Sequence, residues 1–376
     1  MHAIRDAILN GFARKSPVTP GFIGLDFSLE RLQLMQLKKT ELGNLGLLAS
    51  AILDYPEDRE SLLNSPHEAR TMLQKAFKTG GFSGNRVVTC LPPSDVRLMS
   101  VSYRIENEKD NQTALLKLVE ERLDGNIEDY VIDYLQLRGN LKESERLALV
   151  AVARREVVIN YLELLRKCGL VVENLDIAPS AIKRLISSLS DNDESDNVLT
   201  INFGRNKSYI ILMSGRRLLL DMEIDFGEHE LLQQVSDELE IDIDTARKHV
   251  YEKGLNSCNI QCDSAYLNCA EFVTAIQEIM KPKLMKLVEE VNRSLIYVAS
   301  ETRGGEVRKI YLLGGIACWD GIDLMLSKLI DIPVSIPDYM TELTNEDYSA
   351  KHKYLLPVMS VVTGLALRGL TDHVRN

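Results

Sequence analysis

Residues 22–37, FIGLDFSLERLQLMQL, run apolar into Asp26, break over Ser28, Glu30 and Arg31, and resume with Leu32, Leu34 and Leu37 set apart by polar side chains. Two strands joined by a tight turn produce that pattern, because alternate side chains of a strand share a face and a turn collects polar residues. Asp26 stands at the turn. Residues 198–213, VLTINFGRNKSYIILM, repeat the layout: Asn202 falls on Asp26, Phe203 on Phe27 and Gly204 on Ser28, at an offset of 176 residues. Such a period is too long for a solenoid and predicts two similar lobes, each opening with a hairpin. Two unrelated hairpins would share the local pattern, so the rest of the chain has to decide.

Working outward, a helix is predicted over 66–78 and a strand over 86–91, RVVTCL, which Pro92 and Pro93 stop. Residues 96–168 then read as a β-α-β-β-α unit that begins after one strand and hands back to another at 171–177, the arrangement of an inserted domain. The acidic stretch 188–197, SLSDNDESDN, reads as a solvated link. Beyond it come helices at 228–239 and 243–253, and a long helical pattern at 270–301 that Pro282 interrupts and Gly304 and Gly305 end. A strand at 309–313 runs into Gly314 and Gly315; a helix at 319–330, a strand at 332–336 and a last helix at 356–370 follow. The expected organisation is an extension at 1–20, a first lobe at 21–92 and 171–190, an insert at 93–170, and a second lobe at 197–370.

Composition narrows the function. A chain of 376 residues with a net charge of -11 repels nucleic-acid phosphates, so nucleic acid is not an expected partner. No run approaches the roughly 20 apolar residues of a membrane span, and the first twenty residues lack the apolar core of a secretion signal, which predicts a cytoplasmic protein. Residues 1–16 can be drawn as an amphipathic helix carrying Arg5, Arg14 and Lys15, but read more simply as a frayed terminus. The six cysteines (Cys90, Cys168, Cys258, Cys262, Cys269 and Cys318) form no C-x-x-C pair and read as reduced thiols.

The candidate chemistry lies in three places. The turns at Asp26 and Ser28 and at Asn202 and Gly204 offer backbone N–H groups to phosphates. Gly314 and Gly315, with Ala317 just beyond, would let a purine and its sugar lie against the main chain. Asp26 is the candidate magnesium holder, through a metal-bound water, and ATP with magnesium is the cofactor of such a cleft. Each piece alone is weak, since a strand ending in two glycines is usually just a turn. Their order and spacing together are more specific.

The blocks GLDFSLERLQLMQL, VVTCLPPSDV, LDIAPSAIKRL, INFGRNKSYIILMSGRRLL, IYLLGGIACWDGIDLMLSKL and TGLALRGL resemble successive blocks of the PilM family of type IV pilus assembly, relatives of the cell-division protein FtsA in the actin-like superfamily. The related protein of the mannose-sensitive haemagglutinin pilus fits equally well. The resemblance spans residues 21–370. It implies an α/β, actin-like (ribonuclease H-like) two-lobed fold with an inserted small α+β subdomain. It also implies a partner, the cytoplasmic tail of a PilN-like bitopic membrane protein gripped between the first lobe and the insert, with the pilus motor ATPase as a further one. The protein would then sit in the cytoplasm, peripheral to the inner membrane.

Three positions depart from the family pattern. Glu30 places a carboxylate in a turn that is usually glycine- and serine-rich, and would repel phosphate unless Arg31 compensates. Asn202 replaces an aspartate. Ala178, before Pro179, stands where relatives keep a glutamate that orients the attacking water, and a methyl group cannot do so. The expectation is an adaptor with weak or no nucleotide binding and negligible hydrolysis. The competing readings are an active ATPase of the sugar-kinase and chaperone class, for which no sugar-side base is found, and a filament former, for which the tail at 371–376 is too short to be a membrane anchor.

Overall fold

In the computed structural model both quoted stretches fold as antiparallel hairpins, and their registers superpose at the offset expected. Asp26 pairs with Gln33 and Phe27 with Leu32 in the first; Asn202 pairs with Tyr209 and Phe203 with Ser208 in the second. The residues described are 19–28, 31–39, 45–104, 111–137, 145–189, 196–215, 217–256, 269–302, 304–344 and 356–372. The readings of residues 1–16, of Glu30, of Cys258 and Cys262, and of most of the acidic link lie outside them.

The first sheet collects β1 (Thr19–Pro20), β2 (Ile23–Phe27), β3 (Arg31–Lys39), β4 (Leu45–Asp54), β5 (Arg86–Cys90) and β9 (Val171–Asp176). Its path is β4-β3-β2-β5-β9, with β1 on the far end of β3, and β2, β5 and β9 run parallel. Helices α1 (Arg59–Asn64) and α2 (Pro66–Gly80) lie between β4 and β5. Ser65 caps α2 by accepting from the Glu68 N–H, and Pro66 fits the first turn, where no N–H is needed.

The second sheet joins β10 (Asn197–Phe203), β11 (Ser208–Ser214), β12 (Arg217–Ile224), β13 (Val307–Gly314) and β14 (Val334–Ser335) in the order β12-β11-β10-β13-β14. With the two-residue β1 set aside, third, second, first, fourth and fifth strands thus follow one another in both sheets. Helices α6 (Glu228–Leu239), α7 (Ile243–Lys253), α8 (Cys269–Glu301) and α9 (Ile322–Ile330) pack with this sheet around a shared apolar core. Pro282 does not break α8, contrary to the sequence pattern. Met280, Leu284 and Leu287 are fully buried on either side of it, and that burial holds the segment helical despite the missing N–H.

Between β5 and β9 the chain forms a small three-stranded sheet, β6 (Arg97–Arg104), β8 (Glu145–Arg154) and β7 (Tyr130–Leu137), in that spatial order. Helix α3 (Asn111–Glu120) closes a separate core over one face through Leu115 and Val119, against Val101, Tyr103 and Tyr130. Helix α4 (Arg155–Lys167) turns the other way and puts Val158, Tyr161 and Leu165 into the core of the first sheet.

A further core spans the two large sheets. Helix α5 (Ala178–Ile186), the short α10 (Tyr339–Thr344) and the last helix α11 (Ser360–Asp372) fill it. The sequence reading groups α11 with the second lobe, but α11 packs on α5, β2 and β3. The reason is its stripe of Val362, Leu365 and Ala366, which meets apolar residues of the first sheet such as Met35 and Leu37, and Phe22 just before β2. At Gly364 the two helices touch closely enough that a Cβ would overlap the Ala181 carbonyl. Among the described residues no helix is long and apolar enough to cross a membrane.

Candidate functional site

A cavity of about 830 Å³ opens between the two large sheets, lined by both hairpin turns, the β13 diglycine, the start of α5 and one face of α7. Asp26, Ser28, Asn202, Gly204, Gly314 and Gly315, all read from sequence, line it together. Ala317 does not. Its side chain is buried in the second-lobe core, because the chain after Gly315 coils into a short 3-10 turn that points it inward.

At the first turn, the Ser28 hydroxyl donates to the Arg31 carbonyl at 2.8 Å and accepts the Arg31 N–H at 3.3 Å. The Ser28 carbonyl accepts from Tyr55 Oη at 2.7 Å. Ser28 and the Arg31 backbone thus bond to each other across the turn. Asp26 is buried, with a 3.5 Å contact from Cys90 Sγ, and burial pushes its carboxyl up to about 6 although Cys90 and the Arg59 charge pull the other way. Arg59, also buried, donates Nη2 to Ser94 Oγ at 3.0 Å, while its Nε and Nη1 have no partner among the described residues. Arg31 pairs with Asp54 at 2.8 Å in the cavity wall, where both side chains are solvated.

At the second turn, the Gly204 N–H donates to the Lys207 carbonyl at 3.1 Å. The first N–H groups of α6 are also occupied: Glu228 N donates to the Gly204 carbonyl at 3.0 Å and His229 N to the Arg205 carbonyl at 2.8 Å. A helix N-terminus binds an anion through free N–H groups, and here its first two are consumed. Gly314 sits at φ +84, beside the Phe203 carbonyl, where an added Cβ would overlap it. The space next to Gly315 is held by the buried Glu228, whose Oε1 accepts from Tyr251 Oη at 2.7 Å.

At the start of α5, Ala178 and Pro179 line the cavity as the sequence places them. The neighbouring acid cannot substitute for a water-orienting group. Asp176 accepts from the Ile177 N–H at 2.9 Å and pairs with Arg184 at 2.8 Å and Arg368 at 3.0 Å.

Two parts of the wall escape sequence reasoning. Asp242 caps α7 by accepting the Thr245 N–H at 2.9 Å, and the helix then presents Asp244, Arg247, Lys248 and Tyr251 to the cavity. The signal available was their spacing of three, four and seven residues, which puts them on one face. Tyr251 also meets the single tryptophan, Trp319, edge to face at 6.3 Å. The second part is the cavity face of β11 and β12, with Tyr209, Ile211, Asp221 and Glu223. Glu223 is satisfied by Lys207 and by Tyr209 Oη at 2.9 Å. Asp221 Oδ1 is shielded from solvent and has no hydrogen-bond partner among the described residues; burial, with the Glu223 charge adding to it, lifts this carboxyl to about 7.

Two sheets of one strand order facing each other across such a cavity define an actin-like protein, and the comparisons agree. The solved PilM-PilN type IV pilus biogenesis complex matches with a TM-score of 0.73 at 20% identity, covering 93% of this chain and 98% of the other. The ethanolamine utilization protein EutJ from Carboxydothermus hydrogenoformans matches with a TM-score of 0.51 at 12% identity, over 96% and 94% of the two chains. The model of the family described as type IV pilus assembly protein PilM matches residues 24–370. The chain belongs to the PilM family of type IV pilus assembly.

Proposed function

We propose that this chain is an actin-like scaffold of a type IV pilus, or of the related type II secretion machinery. In this reading it is held at the cytoplasmic face of the inner membrane by the cytoplasmic tail of a PilN-like bitopic protein. The observation that carries the proposal is the family match across residues 24–370, and the PilM–PilN complex is a solved case of that partnership. A link onward to the pilus motor ATPase belongs to the same proposal.

The docking place is the groove beside the insert. In β7, Tyr130, Ile132 and Tyr134 face the insert's own core, so Val131, Asp133 and Leu135 face the other side. Val131 and Leu135 are exposed at a sheet edge, across from Ala153 and Leu149, which sink into cores shared with the first sheet. A short apolar strip next to a buried joint suits an extended peptide.

The residues of the cleft do not fit magnesium triphosphate. Asp26 is a buried carboxyl whose ionised form burial disfavours, Asn202 is uncharged, the N–H groups of Arg31, Gly204, Glu228 and His229 are spent, and Glu228 occupies the space by the diglycine. A water-orienting group is missing at Ala178. The Arg247, Lys248 and Tyr251 face of α7 favours a second reading, retention of a nucleotide without turnover. The protein is therefore read as a non-enzyme.

Capture of this chain by the first residues of the bitopic protein encoded beside it is expected. No capture by a correctly identified tail would sink the scaffold reading. Calorimetry is expected to show no micromolar magnesium-ATP binding; such binding together with steady turnover would overturn the account of the cleft.

A further inference from the structure

Asp221 lies on the β11–β12 face without a counterpart among the described residues. Its strand neighbour on that face, Glu223, is held by Lys207 and Tyr209, whereas Asp221 Oδ1 is shielded and has no hydrogen-bond partner among the described residues. A shielded carboxylate oxygen with no donor is destabilising, which a native fold tolerates where a ligand supplies the donor. One wall beside it is apolar: Ile211, its register partner on the adjacent strand, belongs to one apolar cluster with Ile182 of α5 and Leu98 of the insert, and all three line the cavity. An acid beside an apolar wall accepts hydrogen bonds and offers none when ionised. Its natural guest has an aliphatic stem and a cationic head, which is the shape of a lysine or arginine side chain.

The cavity also connects to the proposed docking groove. Leu98 pairs in register with Ala151, and Ala151 with Asp133 of β7. These three residues form one row across the insert sheet, on the face that carries the exposed Val131 and Leu135. The row leads from the edge of β7 to the cavity, and β7 comes against β12, the strand that bears Asp221. A peptide laid along the insert would meet Asp133 and then Asp221, so the path is acidic as well as apolar.

Resting on the reading that a partner's tail docks beside the insert, we propose that Asp221 is the anchor for a lysine or arginine side chain of that tail, reaching into the cavity between the insert and β12. The raised carboxyl of Asp221 fits this role, since a cation beside it would restore the ionised form.

The test is calorimetric titration of the full chain with a synthetic peptide of the neighbouring bitopic protein's cytoplasmic tail. It is repeated with Asp221→Asn and with peptides in which each lysine or arginine is changed in turn to glutamine. Asp221→Asn is expected to weaken binding by about tenfold or more. One peptide substitution should weaken it to the same degree, with no further loss when the two changes are combined. The peptide series needs no altered protein, so it reads out even where a protein variant folds poorly. Equal affinity of the tail for the parent chain and Asp221→Asn, or additive losses for every peptide position, would overturn the anchor while leaving the docking reading in place. No binding of the tail to the parent chain would overturn both.

Discussion

A carboxylate taken out of water must find a partner or stay protonated. Asp221 and Asp26 take the second course in part, with carboxyls raised to about 7 and about 6 from a usual value of 3.8. A raised folded-state value means that folding takes up a proton across this interval. The stability contribution is whole below about pH 4 and is lost as pH rises through about 7. Asp221→Asn removes the penalty of ionisation, so it is expected to stabilise the free protein at pH 8, by about 1–3 kcal/mol. Near pH 4 the gain should vanish. Urea unfolding at the two pH values checks this, and an equal change at both would show that Asp221 does not titrate in this range. Gly314 gives the opposite sign. Its φ of +84 and the adjoining Phe203 carbonyl leave no room for a Cβ, so Gly314→Ala is expected to cost about 3 kcal/mol or more. The same unfolding assay measures it, and a loss under about 1 kcal/mol would show that the strand end can shift.

At the scale of elements, the join between α5 and α11 is ionic as well as apolar. Asp176, nearly buried, is shared by Arg184 of α5 and Arg368 of α11, and Arg184 also donates to the Gly364 carbonyl at 2.8 Å. Both arginines keep about a third or a quarter of their side-chain surface in water, which limits the loss when the acid goes. Asp176→Asn is expected to cost about 2 kcal/mol. Once it is made, Arg368→Met should add little, because the two changes remove one network; fully additive losses would mean that the bonds act separately. None of this linkage shows in the sequence, since it joins residues almost two hundred positions apart. What did show was local. The hairpin repeat was legible because period-two patterning and the turn residues appear twice at one spacing. The third strand of each sheet was not. In β4, LGLLASAILD, and β12, RLLLDMEI, apolar runs blur the alternation that marks a strand. Missing β12 meant missing Asp221. Ala317 was misplaced for a related reason: proximity to Gly315 in sequence says nothing about which way a 3-10 turn points a side chain.

At the scale of the whole molecule, α11 matters because it returns to the sheet where the described chain begins. Phe22, just before β2, and Val362, Leu365, Ala366 and Leu370 of α11 share one core with α5 and with Val198, Ile211 and Leu313 of the second sheet. Folding the first hairpin therefore requires the last helix, across the full length of the chain, and so long a closure rewards only complete folding. Burial of each large apolar side chain is worth about 1.5–3 kcal/mol, and several together match the whole stability of an ordinary domain, about 5–15 kcal/mol. A chain lacking residues 360–372 is thus expected to lose the first sheet, even though the deletion lies nearest in sequence to the second. Hydrogen exchange reads the difference directly, since fully buried β2 and β3 amides should exchange at global rates in the parent chain and much faster in the truncated one. The helices α6, α7 and α8 pack on the opposite side of the second sheet, in a core that contains no residue of α11, so their amides should keep more protection than those of β2. Loss confined to β10 and β13, with β2 and β3 still protected, would show that the two sheets fold independently and that α11 is only a cover.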